Sequence, residues 1–404
     1  MTPELIKQTD PRTKAGQTKK TIIAYFIEHG GATILQLAKY LSLSSPTVIK
    51  FVGELENAGC ILRKGKLETQ GGRYPFLYGL HPKAGYFIGV DVQHNKLNLG
   101  AITLSGEICA MDCDVPFSLE DKPETIEHLV GAINDFIKAN KIPRDKILNV
   151  NINLPGRINP KSGRSYTMFV SLQEEKPLAE ILCDALQMHV TIDNDTRGMA
   201  FGEYTQGAAQ ESEIKNMLYI NLSWGLGLGM IIDGKVYTGK SGFCGELGHI
   251  TFYNNQILCH CGKKGCMQTE VGGLALHRKV LERIKKGETS LLSEKVNRGE
   301  DISLEEIIQA IKEEDMLCYS VLEEVGRELG FHLAGLINIF NPEMIVLGGS
   351  MAAVGDALRL PVEMAIRRLT LNVVSSDTKI VLADIGKNSG VVGACMMARY
   401  KRFE

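Results

Sequence analysis

The first eighty positions carry apolar residues at a helical period. From Thr18 to His29, Ile22, Ile23, Phe26 and Ile27 recur at that spacing, and Gly30-Gly31 ends the run. Thr33 has the side chain to cap a second helix carrying Ile34, Leu37, Ala38 and Leu41. Ser45 is placed to cap a third, with Pro46 at its first position, where a missing N–H costs nothing. Val48, Val52 and Leu55 give that helix its buried stripe, and Gly59 stops it. Cys60 to Arg63, a turn at Lys64-Gly65-Lys66 and the residues from Leu67 onward then read as a hairpin. Gly71-Gly72-Arg73-Tyr74-Pro75 reads as an extended arm. Helix, tight turn, helix and hairpin together predict a winged helix-turn-helix, whose third helix enters a DNA major groove. Ser45, Thr47 and Lys50 on its unburied side are of types that reach bases or phosphates, and Arg73 suits a narrow A·T minor groove. The competing reading is a three-helix module for protein contacts.

After Pro82 the pattern turns to strands alternating with helices. Tyr86–Gln93, Lys96–Leu104 and Ile108–Val115 predict three strands, followed by a helix around Glu124–Ala139 and a buried strand at Ile147–Leu154. A comparable unit recurs at Met217–Ser223, Leu226–Ile232, the turn Asp233-Gly234 and Lys235–Tyr237. Two strand–turn–strand units, each followed by helices, predict two α/β lobes with a cleft between them. The expected organisation is a DNA-binding domain with linker at 1–80 and a second domain at 81–404, its lobes spanning about 81–205 and 206–404.

Charge sharpens this division. The chain carries −2 overall, yet residues 1–80 hold eleven Lys/Arg against six Asp/Glu, so a basic head precedes an acidic body. No stretch has signal-peptide form, and the apolar run Met217–Ile232 is broken by Asn221, Ser223 and three glycines. A cytoplasmic protein without a membrane partner is expected. Ten cysteines in such a chain are no disulfide framework, and seven of them (60, 109, 113, 183, 244, 318, 395) are expected as small buried hydrophobes. The other three form Cys259-x-Cys261-x4-Cys266 on a glycine-rich loop. With a histidine, either His249 or His260, they supply the four ligands of a closed, structural zinc site.

Five motifs in one order carry a resemblance. They are Leu154-Pro155-Gly156; Asp193-Asn194-Asp195 with Gly202-Glu203; Gly245-Glu246-Leu247-Gly248-His249; the run Cys259 to Cys266; and Asn341 to Gly349. In these the chain resembles the ROK family of sugar kinases and repressors, and its head resembles that of the repressor branch. The resemblance covers about 85 to 400 and implies a two-lobed actin/hexokinase-like ATPase fold behind the head. It favours His249 as the zinc histidine. It also implies a sugar pocket formed by Asn194, Asp195, Glu246 and His249, with Gln268 where the family usually has glutamate.

Two departures bear on activity. The family's kinases carry Asp-x-Gly-Gly-Thr where this chain has Asp91-Val92-Gln93-His94-Asn95, and Gly-Thr-Gly where it has Ser223-Trp224-Gly225. Phosphate cradles need residues without Cβ, so no bound ATP is expected and Asp195 becomes a relic of the kinase base. The reading is therefore a sugar-responsive repressor rather than an enzyme. Its effector is expected to be a monosaccharide or sugar phosphate. Its operator is expected to be palindromic, A·T-rich double-stranded DNA, and its assembly a homodimer or homotetramer. The alternative is an active sugar kinase with an accessory DNA-binding head.

Overall fold

The structure, a computed structural model, describes residues 4–66, 75–210 and 213–403. The head contains α1 (Glu4–Gln8), α2 (Lys14–His29), β1 (Gly31–Ala32), α3 (Ile34–Leu41), α4 (Ser45–Asn57), β2 (Ile61–Lys66) and β3 (Phe76–Leu80). Thr33 caps α3 in a capping box with Gln36. Lys19, buried on α2, reaches Glu54 of α4 at 2.6 Å and fixes the third helix against the first. Val48, Val52 and Leu55 are buried as their spacing requires.

Two local expectations in the head need correction. The cap of α4 is Ser44, with extended backbone, and Ser45 is the first helical residue. Proline is tolerated throughout a first turn whose N–H groups have no intrahelical partner, so Pro46 did not define the register. The wing turn expected at Lys64-Gly65-Lys66 is instead strand. β2 runs through it and pairs antiparallel with β3, with a bulge between Arg63 and Gly65, and Gly65 takes a positive φ of 141°. A glycine inside a strand pattern signalled a bulge rather than a reversal. The arm residue Arg73 lies outside the described residues.

The first five-stranded sheet is built from β4 (Tyr86–Val92), β5 (Lys96–Thr103), β6 (Ile108–Pro116), β7 (Ile147–Leu154) and β10 (Val190–Asn194). Helix α5 (Pro123–Ala139) precedes β7. The short pair β8 (Ile158–Asn159) and β9 (Arg164–Ser165) and helix α6 (Leu178–Leu186) precede β10. Helix α7 (Asp195–Gln206) leads to the second sheet: β11 (Met217–Leu222), β12 (Leu226–Ile232), β13 (Lys235–Val236), β14 (Met344–Gly348) and β15 (Lys379–Leu382). Helices α8 (Gly273–Lys285), α9 (Ser293–Asn297), α10 (Leu304–Lys312) and α11 (Met316–Phe340) lie between β13 and β14; α12 (Asp356–Leu369) and α13 (Asn372–Asp377) follow β14, and α14 (Ser389–Phe403) closes the chain.

The strand orders are β10-β7-β4-β5-β6 and β13-β12-β11-β14-β15. Written by position within each sheet they are the same sequence read from opposite ends. In both, the first strand pairs antiparallel with the second and parallel with the fourth. The fold is a duplication, and each copy has its own apolar core.

By contacts the chain divides into Met1–Asp195 with Ala394–Glu404, and Thr196–Gly393. The boundary falls ten residues before the 205/206 boundary expected from sequence, and the end of the chain returns to the first unit. Its reason is close packing within that unit. Asn149 Nδ2 donates to the Ala398 carbonyl at 2.9 Å, and a Cβ on Gly89 would overlap the backbone of Cys395. Of the seven scattered cysteines only Cys60, Cys318 and Cys395 are buried; Cys109 is exposed and Cys113, Cys183 and Cys244 are half-buried. Among the described residues no helix is long and apolar enough to cross a membrane.

Candidate functional site

Glycines place the first half of the cysteine cluster. Gly245 has φ +95°, and a Cβ there would overlap the Leu228 carbonyl of β12; one on Gly248 would overlap the Leu226 carbonyl. Pressed onto β12, this segment holds His249 at the end of a short 3-10 turn, with Glu246 just before its start. The cysteine loop closes by Cys259 N–H to the Lys263 carbonyl (2.8 Å) and Gly262 N–H to the Cys259 carbonyl (2.9 Å). The ligand atoms of His249, Cys259, Cys261 and Cys266 all lie within 4.8 Å of one another. Cys259 Sγ is 3.6 Å from His249 Nδ1, and Cys261 Sγ is 3.6 Å from Cys266 Sγ. Bond lengths of zinc to sulfur and nitrogen give tetrahedral edges of about 3.5–3.8 Å, so donor set and spacing fit that ion. His260 is outside the cluster. Its Nδ1 lies 2.9 Å from Gln268 Nε2.

Thiols this close resist joint ionisation. Burial works against the Cys261 thiolate, but the Lys263 N–H and the neighbouring Cys259 and Cys266 bring this thiol below the ordinary cysteine range. Burial and the other two cysteines push Cys266 up to about 12. A divalent cation reverses that balance by favouring every thiolate at once.

The other motifs fall into two groups. Asn194 Nδ2 donates to the Gly156 carbonyl (3.0 Å) and to Asp195 Oδ1 (2.7 Å), so Leu154-Pro155-Gly156 orients Asn194 and Asn194 orients Asp195. Behind them Asp193, 2% exposed, is held by Lys401 Nζ at 2.7 Å, which also donates to Asn151 Oδ1 and the Ile192 carbonyl. Sequence reasoning missed Lys401, since nothing local marks a lysine near the chain's end as the partner of β10. Glu246 Oε2 lies 3.8 Å from His249 Nε2, on the side of the ring away from the cysteines. Asn194 ends the first sheet's β10 and Asp195 begins α7; Glu246, His249 and Gln268 belong to the second unit. Glu270, a carboxylate near Gln268 in sequence, is committed to Asn255 (2.8 Å), Arg278 (3.1 Å) and Lys279 (3.4 Å).

Two motifs serve packing. Glu203 is fully buried and accepts from the Ala208, Asp384 and Ile385 amides and the Ser389 hydroxyl, at 2.8–3.1 Å. Glu343 accepts from the Lys215 and Asn216 amides at 2.8 and 2.7 Å, which hold its carboxyl below the ordinary range and join the start of β14 to that of β11.

In the first hairpin, Asp91 is fully buried; its Oδ2 accepts from Gln93 Nε2 (2.9 Å) and Asn98 Nδ2 (3.1 Å), and burial still pushes the carboxyl above its ordinary range. In the second, the carbonyls of Ser223 and Trp224 accept the first N–H groups of α8, from Gly273 (2.7 Å) and Leu274 (3.0 Å). On the head, Lys50 is exposed and Ser45 and Thr47 half-exposed, with the Thr47 hydroxyl 2.8 Å from that of Ser44. Phe76, not anticipated from sequence, lies beneath Arg63 (4.8 Å) and Lys66 (5.4 Å) on the wing.

A duplicated α/β body with a Cys3His cluster, behind a winged helix-turn-helix, defines a two-part protein class. Residues 87–401 match the ROK family and 17–61 match winged helix-turn-helix DNA-binding domains; the chain belongs to the ROK family. It is 28% identical over 363 residues to the xylose repressor of Caldicellulosiruptor bescii, covering 90% of each chain. A crystal structure of a ROK family transcriptional regulator, a homologue of the E. coli MLC protein, superposes with a TM-score of 0.79 at 28% identity, covering 99% of this chain and 98% of that one. A ROK family glucokinase from Streptomyces griseus, with glucose and AMPPNP, gives 0.65 at 25% identity, covering 78% of this chain and 100% of its own.

Proposed function

We propose that this protein is a sugar-responsive transcription repressor: the head, 1–80, binds operator DNA and the body, 81–404, binds a monosaccharide or sugar phosphate that changes DNA affinity. One observation carries the reading. The ROK regulator covers 99% of the chain, head included, whereas the glucokinase covers 78%. In this reading Asn194, Asp195, Glu246, His249 and Gln268 contact the sugar. Carboxylate and amide groups suit adjacent hydroxyls because each offers two hydrogen-bonding positions. The Cys3His cluster holds one structural zinc ion, which supplies a fixed anchor and charge neutralisation rather than reaction chemistry. His249 would bind it through Nδ1, leaving Nε2 on the side of Glu246.

The body lacks kinase activity in this reading. The Gln93 and Asn98 amides hold Asp91 Oδ2, and the first two N–H groups of α8, from Gly273 and Leu274, are spent on the Ser223 and Trp224 carbonyls. Phosphoryl transfer needs its phosphates positioned and neutralised. Ser45, Thr47 and Lys50 serve the major groove and Arg73 the minor groove of a palindromic, A·T-rich site met by two heads of a homodimer or homotetramer. The second reading, an active kinase, draws on Asp195 and on the likeness to the glucokinase.

Gel-shift titration on the chain's own upstream DNA, beside a scrambled duplex and with Arg73→Ala, tests the first reading. Specific binding that Arg73→Ala weakens most at A·T-flanked sites is expected, and equal affinity for both duplexes overturns it. Sugar-dependent ATP consumption lost in Asp195→Asn would establish the second.

A further inference from the structure

The chain's last helix, α14, belongs to the same compact unit as the head, and a cavity lies in the seam between them. Ile6, Thr9, Pro11 and Lys20 line it from the head, Arg402 and Phe403 from α14. Its volume is about 70 Å³, whereas one water requires roughly 10–15 Å³. Lys20 and Arg402 bring two positive charges, and among the described residues that line the cavity none is acidic. The neighbouring acid in sequence, Asp10, is committed to Arg12 at 2.7 and 3.0 Å. Arg402 Nε is shielded from solvent and has no hydrogen-bond partner. Burial pulls its guanidinium below the ordinary arginine range, and no carboxylate acts against that shift. His189, whose ring feels the charge of Arg402, is pushed toward its neutral form by burial and by that charge, so it supplies no counter-charge. Arg399, one turn earlier on α14, is directed at Gly106 of the β5–β6 turn instead.

We infer that this cavity is a binding site for a small inorganic oxyanion, phosphate or sulfate, held by the Arg402 guanidinium and the Lys20 ammonium. A guanidinium stays charged in a protein, and a shielded one costs free energy unless an anion meets it. Water satisfies an N–H in such a cavity but leaves the charge unopposed. The planar fork of arginine matches two oxygens of a tetrahedral anion, and a lysine adds a point charge beside it. Thr9 supplies a wall rather than a donor, since its hydroxyl proton goes to the Leu5 carbonyl at 2.8 Å. Pockets for larger ligands run to about 300–1,000 Å³, so this one is too small for a whole sugar phosphate. The site is separate from the sugar motif, and the inference does not depend on the repressor reading. An anion bound there ties α1 and α2 of the head to α14 through charge.

The test uses the full-length protein without DNA, wild type, Arg402→Gln and Lys20→Gln, in buffer free of phosphate and sulfate. Sodium phosphate is titrated by calorimetry, with sodium chloride at matched ionic strength as the control for screening. One phosphate per wild-type chain is expected. Arg402→Gln should weaken it at least about tenfold, the share of one charge-assisted hydrogen bond, and Lys20→Gln by a smaller factor. Melting curves give a second readout. Without phosphate Arg402→Gln should melt no lower than wild type, because it removes an unopposed shielded charge; with saturating phosphate it should melt below wild type. Added phosphate should slow amide exchange in α1 and α14 of the wild type. Lys20→Gln changes a half-buried residue of the head and guards against misfolding of the α14 variant. Phosphate that stabilises wild type no more than chloride overturns the site, as does phosphate that binds both variants as tightly as wild type. Arg402→Gln that melts lower by the same amount in both buffers gives Arg402 a packing role and likewise overturns it.

Discussion

The two sheets share one topology but secure their buried acids differently. In the first, Asp193 at the end of β10 is neutralised by a cation, Lys401 of α14. In the second, three backbone amides and the Ser389 hydroxyl surround Glu203 of α7. Asp193 is adjacent to Asn194 and accepts its N–H at 2.8 Å, so the ion pair stands directly behind the proposed sugar motif. Glu203 instead ties α7 to the segment after β15. A duplicated scaffold has thus kept its strand order while one copy's buried acid braces the proposed sugar motif and the other's ties a helix to a distant segment.

Substitutions at the two acids and their partners separate these roles. The largest effect is expected from Glu203→Gln, which turns an NH2 toward donors that need an acceptor. A loss of about 2–4 kcal/mol follows from charge-assisted bonds broken in a buried site, read as a shift in urea midpoint. If stability is unchanged, Glu203 is not the keystone described. Lys401→Met should cost somewhat less, about 2–3 kcal/mol, because Lys401 keeps 16% of its side chain in solvent while Asp193 is left buried and unneutralised. Its signature is local: faster amide exchange across 190–195 and weaker sugar binding, which Glu203→Gln should not reproduce in preference to global loosening. Equal exchange throughout both variants would erase the distinction between the two copies. Smallest is Asp195→Asn, which keeps the shape but swaps an acceptor oxygen for a donor. Sugar affinity should fall about tenfold, or ~1.4 kcal/mol, in isothermal titration with no change in melting.

Much of this was legible in the sequence because the signals were local. β7 and β12 occupy the predicted spans Ile147–Leu154 and Leu226–Ile232, the first alternating apolar residues with Asn149, Asn151 and Asn153, the second apolar apart from two glycines. The cysteine spacing likewise predicted a cluster that the structure assembles with His249. What escaped was non-local or ambiguous. Lys401 meets Asp193 only after the chain has passed through the whole second unit. Gly65 was equally good as a turn or a bulge. Gln268 stood out as a departure from the family pattern, but its amide turns toward Cys259 and His260, a direction no spacing rule gives.

The central claim is that sugar binding in the body changes DNA binding by the head. Its most direct measurement is fluorescence anisotropy of the full-length protein on its own upstream DNA. Salt must be fixed, because phosphate contacts make affinity steeply salt-dependent. Titrations run with and without a saturating amount of the tightest binder from a panel of free and phosphorylated monosaccharides. Linked sites typically couple by about 5–150-fold, and a change of at least fivefold in DNA affinity is the predicted result. A sugar that saturates the body and leaves the DNA isotherm where it was would contradict the account.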